Sequence, residues 1–239
     1  MNSLPITAEA RGRYRVWCSA TDRAFHRAEE ALFSRRFAEL SGNFLKCKGK
    51  GRERAAAHLC RLAERAGARP IERGRQRLRW AYLCTVDEGV FPLLMTVSPG
   101  DGGRHPWLIV FSTHALQRAL MRAAPGLDLS GLVWSAIDNA RRISIGFLLT
   151  RTTADRFRIA AGDGAFGAGM ALTEVYGGRE QPMIACETWL SRDQMSDIQE
   201  VEVVPEGQPG DRYEDAYEEF RRCWQIPMIE RSRRELGRR

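Results

Sequence analysis

The chain has 239 residues, 44% of them hydrophobic and 28% charged, with a formal net charge of +7. That length suffices for one large domain or a domain with a helical appendage, and the balance is that of a folded chain rather than a disordered one. No apolar run approaches the ~18 residues needed to span a bilayer, and MNSLPITAEARGRYRVW lacks the apolar core of a secretion signal, so a cytoplasmic protein with no membrane partner is expected.

The cysteines (Cys18, Cys47, Cys60, Cys84, Cys186, Cys223) are scattered, with no CxxC pair and no histidine at zinc-ligand spacing. They read as reduced thiols, and neither a metal nor a cofactor is expected. Charge is unevenly spread: Lys46 to Trp80 holds twelve Lys/Arg against three acids, whereas Cys186 to Phe220 holds eleven acids against two arginines. Opposed blocks of this kind either face each other in the fold or mark separate binding surfaces.

In chain order, Thr21 to Leu40 predicts a helix with Phe25, Ala28, Leu32 and Phe37 inward, stopped by Ser41-Gly42-Asn43. His26 falls on its solvated face. KCKGKGRER then opens a second helix, Arg52 to Ala66, closed by Gly67. Lys46, Lys48, Lys50, Arg52 and Arg54 are the candidate nucleic-acid contacts, because lysines and free N–H groups at a helix start favour anions. The run lacks the Gly-Lys-Ser/Thr order of a P-loop, and a solvated linker is the alternative.

Past Pro70 the period turns strand-like: Leu78–Val86 and Phe91–Val97 joined through Asp87-Glu88-Gly89, a turn at 99–103, and a third strand from Pro106 to Phe111. Helices follow from Thr113 to about Ala124 and from about Gly131 to Arg142. Further strands are expected at Ile143–Thr152, Asp155–Ala161 and Pro182–Leu190, a glycine-rich turn at 162–169, and a short helix at Ser191–Ile198. A linker at 206–210 precedes an amphipathic helix, Arg212 to Trp224, whose Tyr213, Tyr217, Phe220 and Trp224 make it the candidate element for a protein partner or homodimer. The order predicts an α+β fold: N-terminal helices, a mostly antiparallel curved sheet packed by two helices, and a C-terminal helical tail. Boundaries at 1–75, 76–204 and 205–239 separate a basic helical region, the core and the tail.

Two motifs carry little chemistry. Gly162-x-Gly164-x-x-Gly167 matches a dinucleotide fingerprint, with Glu187 twenty residues on, but Thr173, Val175 and Tyr176 favour a strand where a helix is required, so it reads as a turn between strands. Ser112, His114 and an acid make a triad on paper without a nucleophile elbow. Trp80, Tyr82, Trp107, Trp134 and Trp189 have rings that can stack on bases, but at least four of the five are expected in the core.

The chemistry concentrates after the third strand. His114, Arg118 and Arg122 step along one helix face, with His114 in the first turn, where free N–H groups disfavour its proton and attract an anion. Metal-independent RNA cleavage uses a base for the 2′-hydroxyl and fixed cations around the phosphorane, which this set supplies. A capping histidine beside two surface ion pairs is the structural alternative. The pattern Ser112-Thr113-His114-Ala115-Leu116-x-Arg118, with a second helix and late strands ending Thr188-Trp189-Leu190, resembles small toxin nucleases of the barnase–EndoU–colicin–RelE group over about residues 78–190. That resemblance implies a two-helix, curved-sheet fold, metal-free RNA cleavage, and a site of His114, Arg118 and Thr188. The chain is about twice the size of such toxins and has no second histidine on its late strand, which leaves Glu187 and Tyr176 as candidate acids. Two function classes stay open: an RNA-binding, toxin-like ribonuclease without metal, and a non-catalytic accessory protein that binds nucleic acid, RNA before DNA, or another protein.

Overall fold

A computed structural model describes residues 5–86, 89–100, 103–106, 109–123, 126–142, 156–175, 179–195 and 203–204. Its elements are α1 (Ala8–Leu32), α2 (Arg35–Lys46), α3 (Gly49–Arg65), β1 (Arg69–Arg73), β2 (Leu78–Val86), β3 (Gly89–Val97), β4 (Gly103–Pro106), β5 (Ile109–Ser112), α4 (Thr113–Arg122), α5 (Leu129–Arg142), β6 (Arg156–Ala161), β7 (Gly164–Val175), β8 (Arg179–Ser191), a single 3-10 turn (Arg192–Gln194) and β9 (Val203–Val204). Helices and strands mix as an α+β fold, with a curled sheet. The strand expected at Ile143–Thr152, the linker at 206–210 and the helix at 212–224 lie outside the described residues, as do Tyr176 and Cys223.

The N-terminal helices start and stop where side chains compete with the backbone. Thr7 caps α1 by accepting from the Ala10 N–H at 3.2 Å. Instead of one helix from Thr21 to Leu40, there is a break at Phe33–Ser34: the Ser34 hydroxyl donates to the Ala31 carbonyl at 2.7 Å and accepts from the Phe37 N–H at 3.1 Å. A serine that can satisfy both helix ends makes the break cheaper than the continuous helix. The following basic run is shorter as a loop than its glycines suggest. Only Cys47 and Lys48 separate α2 from α3, Gly49 takes a positive φ of 51°, and Lys50 already lies in the helix.

Within the described residues the strands form one sheet in the order β1-β2-β3-β5-β8-β7-β6-β9, with β4 on the end of β3. The expected boundary near residue 75 falls between β1 and β2, which are hydrogen-bonded neighbours. The expected strands begin only at Leu78, and β1 is additional to them; Pro70 is accommodated on an edge strand beside a bulge. Most pairings are antiparallel, but β5 runs parallel to β8, and β6 to β9. The expected strand Pro106–Phe111 divides between β4, which pairs with β3, and β5, which pairs with β3 and β8.

The sheet serves two hydrophobic cores. One packs α2, α3 and the C-terminal half of α1 on β2 and β3 around Phe44, Leu59 and Trp80. The other packs α4, α5 and the N-terminal half of α1 on β5–β8 around Phe111, Leu116, Ile137 and Trp189. All five residues expected inward on α5 (Leu132, Val133, Ala136, Ile137, Ala140) are buried there. The GxGxxG glycines are structural. Gly162 turns with a φ of 61°, and a Cβ on Gly164 would fall 2.2 Å from the Leu190 carbonyl oxygen and 2.5 Å from the Trp189 ring. They open β7, a strand where the fingerprint needs a helix.

Candidate functional site

The site is built where β5 gives way to α4. β8 pairs with β5 through Cys186 and then outruns it. Beyond that point, α4 supplies the partners that β5 no longer offers. The Ser112 hydroxyl caps α4 by accepting from the Ala115 N–H at 3.1 Å and donates to the Glu187 carbonyl at 3.3 Å. Nearly three turns later Arg122 Nη1 donates to the Trp189 carbonyl at 2.7 Å. One arginine of the predicted face therefore closes an open strand edge, and its charge stays in a half-buried position.

Arg118 is the unusual member. It is only 2% exposed and is among the largest fully buried side chains in the described residues. Its Nε donates to His114 Nε2 at 3.3 Å, while its Nη1 is buried with no partner. Arg122 Nε is likewise buried and unpartnered. Among the described residues no carboxylate pairs with either guanidinium. Two desolvated cations one helical turn apart repel each other, and leaving a buried donor unpaired costs on the order of 1–3 kcal/mol, more for a charged group.

His114 stands exposed at the mouth of this pair. Partial desolvation, then the Arg118 and Arg122 charges, hold its pKa below the usual 6.5, so the ring is neutral at neutral pH. Accepting from Arg118 through Nε2 places its proton on Nδ1. Ser112 is the N-cap, so the backbone N–H of His114 sits in the first turn, beside the ring. The local arrangement is a neutral imidazole, free helix N–H groups and a buried guanidinium, which together complement an oxyanion.

Thr188 does not join this face. Phe166 and Ala168 of β7, and Cys186 and Trp189 of β8, are all buried in the core that α4 covers. Gly167 lies between the two β7 residues and pairs with Thr188, whose methyl group is 2.9 Å from where a Gly167 Cβ would be. The bulge between Gly167 and Ala168 is what turns Thr188 outward, and the exposed Glu187 is the extra residue it creates. The threonine implied by the resemblance is thus adjacent in register but on the opposite side of the sheet.

The basic set at the α2–α3 junction is divided as well. Lys46, Lys48, Lys50 and Arg54 are exposed. Arg52 is engaged: its Nε donates to the Cys47 carbonyl at 2.8 Å and its guanidinium lies over the Phe44 ring, 5.8 Å from the centroid. It closes the turn between the helices.

Sequence reading missed the flank contributed by α1. Tyr14, Cys18, Asp22 and His26 line a cleft of about 590 Å³, with Phe25, Thr85, and Thr113 and Gln117 of α4. Tyr14 shares a hydrogen bond with Thr113 at 3.1 Å, and Asp22 accepts from the Thr85 hydroxyl. The four-residue spacing of 14, 18, 22 and 26 was legible, but only with the helix beginning at Ala8 rather than Thr21. Burial raises the Cys18 thiol, which keeps it protonated and unreactive. Trp80 and Tyr82 are in the core as expected, Trp134 is half-buried under Arg69, and Trp107 lies outside the described residues.

Among the described residues no group of His, Cys, Asp or Glu is placed to hold a metal ion, and no helix is long and apolar enough to cross a membrane. Comparison with protein-family models, with curated proteins and with solved structures finds no match to this chain.

Proposed function

We propose that this protein binds RNA and cleaves it without a metal, holding the scissile phosphate at His114, Arg118 and the first turn of α4. The observation that carries this reading is the Arg118 guanidinium, buried with Nη1 unpartnered one turn behind an exposed neutral histidine. An incoming phosphate supplies the missing counter-charge and competes with His114 for Arg118. The imidazole then recovers its Nε2 lone pair and takes the 2′-hydroxyl proton. The 2′-oxygen attacks phosphorus, the bond to the 5′-oxygen breaks, and that oxygen takes a proton from water. The products are a 2′,3′-cyclic phosphate and a 5′-hydroxyl. Arg118, with Arg122 behind it, offsets the charge of the phosphorane.

The test is cleavage of unmodified RNA in chelator by wild type and by His114→Ala, with circular dichroism establishing that the variant is folded. General-base catalysis is worth roughly 10²–10⁴-fold, so a rate drop of that order is expected. Undiminished cleavage by the variant would sink the reading.

A second reading, RNA binding without turnover, is favoured by two features: His114 Nε2 is already engaged by Arg118, and Thr188 faces away. In that case the same variant weakens binding and wild type has no activity to lose. Either reading sets the protein in the cytoplasm, where Cys18, Cys47, Cys60, Cys84 and Cys186, all free thiols, stay reduced. The aromatic segment 212–224 is the proposed contact for a protein partner or a second copy.

A further inference from the structure

Arg54, His58, Arg61 and Arg65 follow one another along α3 at intervals of four, three and four residues, which places them on one face of the helix. All four are exposed. Successive side chains of the row are about 5–6 Å apart, and the row extends for roughly 16 Å at the helical rise of 1.5 Å per residue. Across the hairpin, Arg36 of α2 faces the same row: Arg36, His58, Leu62, Arg61 and Arg65 line a concavity of about 130 Å³. Among the described residues none of these arginines has a carboxylate partner. Of the acids on α2 and α3, Glu39 pairs with Arg35 and Glu64 with Arg73, while Glu53 lies about a quarter turn or more from the row on another face of α3.

Such a row opposes its own helix, because like charges four residues apart repel. It also lacks the intervening acids that make an ordinary solvated helix face. The concavity is well below the roughly 300–1,000 Å³ that small-molecule sites occupy, yet a single phosphate fits it. A straight row of three arginines, with His58 as a further N–H donor between Arg54 and Arg61 and one phosphate-sized dent beside Arg36, matches an extended polyanion.

We propose that the α3 face, Arg54–His58–Arg61–Arg65 with Arg36, is a track for the backbone of single-stranded RNA, separate from the α4 site. The inference rests on the reading of the protein as RNA-binding and names where the strand runs away from the reacting phosphate. It also moves the principal contacts from the lysines of the α2–α3 turn to the body of α3. The contacts are to phosphate, so the track adds affinity without sequence preference.

The experiment uses the full chain, an end-labelled 15-nucleotide RNA with 2′-O-methyl groups that the α4 chemistry cannot cleave, and fluorescence anisotropy across a salt series. The variant is Arg54→Gln with Arg61→Gln and Arg65→Gln. A second triple, Arg11→Gln with Arg23→Gln and Arg27→Gln on α1, removes the same charge from another exposed surface. Circular dichroism confirms that both fold. For a single strand each neutralised phosphate contributes about 0.7 to the slope of log affinity against log salt. The α3 triple is expected to lower that slope by about 2, and the α1 triple to leave it near wild type.

An unchanged slope for the α3 triple overturns the track, and so does an equal fall for both triples, which would mean a diffuse field. Wild-type protein that binds phosphatidylserine vesicles through this face but not the RNA overturns it also. A lowered slope with no cleavage of unmodified RNA leaves the track standing and removes the catalytic reading. An unchanged slope with cleavage intact does the reverse.

Discussion

The α4 face and the α3 face carry the same residue types and handle their charge in opposite ways. On α3 the arginines stand in water, where each is solvated and interacts with its neighbours through a high dielectric. On α4 Arg118 is buried and Arg122 half-buried at a strand edge, where charge is expensive. The first arrangement makes a field that salt screens. The second makes a site whose cation is already desolvated and positioned before any anion arrives. A cluster of cations in sequence is therefore two different things, depending on whether the tertiary structure leaves it in solvent.

The comparison can be broken most sharply at Arg118. Arg118→Met keeps the length of the side chain and removes a buried unpaired charge, so the folded state should gain about 1–3 kcal/mol in urea denaturation. RNA cleavage and binding of inorganic phosphate should be lost in the same variant. A protein that becomes more stable as it loses its ligand identifies a residue kept for function. Destabilisation by Arg118→Met would mean that the guanidinium is a structural element.

Arg122 should behave differently. Arg122→Ala leaves the Trp189 carbonyl without its donor at the strand edge, and a loss of about 1–3 kcal/mol is expected from denaturant midpoints. Stability unchanged by that substitution would put Arg122 with Arg118 rather than with the edge.

The smallest effect concerns His114. Its pKa is below 6.5 in the folded protein, so the unfolded chain binds more protons in the window just under 6.5. Stability from this group is present above 6.5 and is lost as the pH falls through that window toward the folded value. The imidazole signals followed by NMR should titrate below 6.5 in wild type and move upward in Arg118→Met or on addition of phosphate. A midpoint at or above 6.5 without ligand contradicts the partial burial of the ring in the field of Arg118 and Arg122.

Much of the fold was readable in order along the chain. The hairpin of β2 and β3, the helix after Ser112, the inward stripe of α5 and the strand ending at Leu190 all follow from local periodicity and caps. These are decided by side chains within a few residues of one another. The His114–Arg118–Arg122 face was legible for the same reason, since a helix fixes which residues share a side.

What the sequence by itself determined, then, is the α+β class, the placement of most elements and the shared side of three residues on one helix. Tertiary structure alone decided the rest. A helix period says nothing about which side is covered, and only the packing of α4 on β8 buried Arg118 while leaving His114 in water. Thr188 faces away because of one extra residue opposite Gly167, a shift that no spacing rule reveals. The parallel pairing of β5 with β8 likewise depends on a partner distant in the chain, and hydrogen bonds made at that distance leave no local trace in the residues that make them.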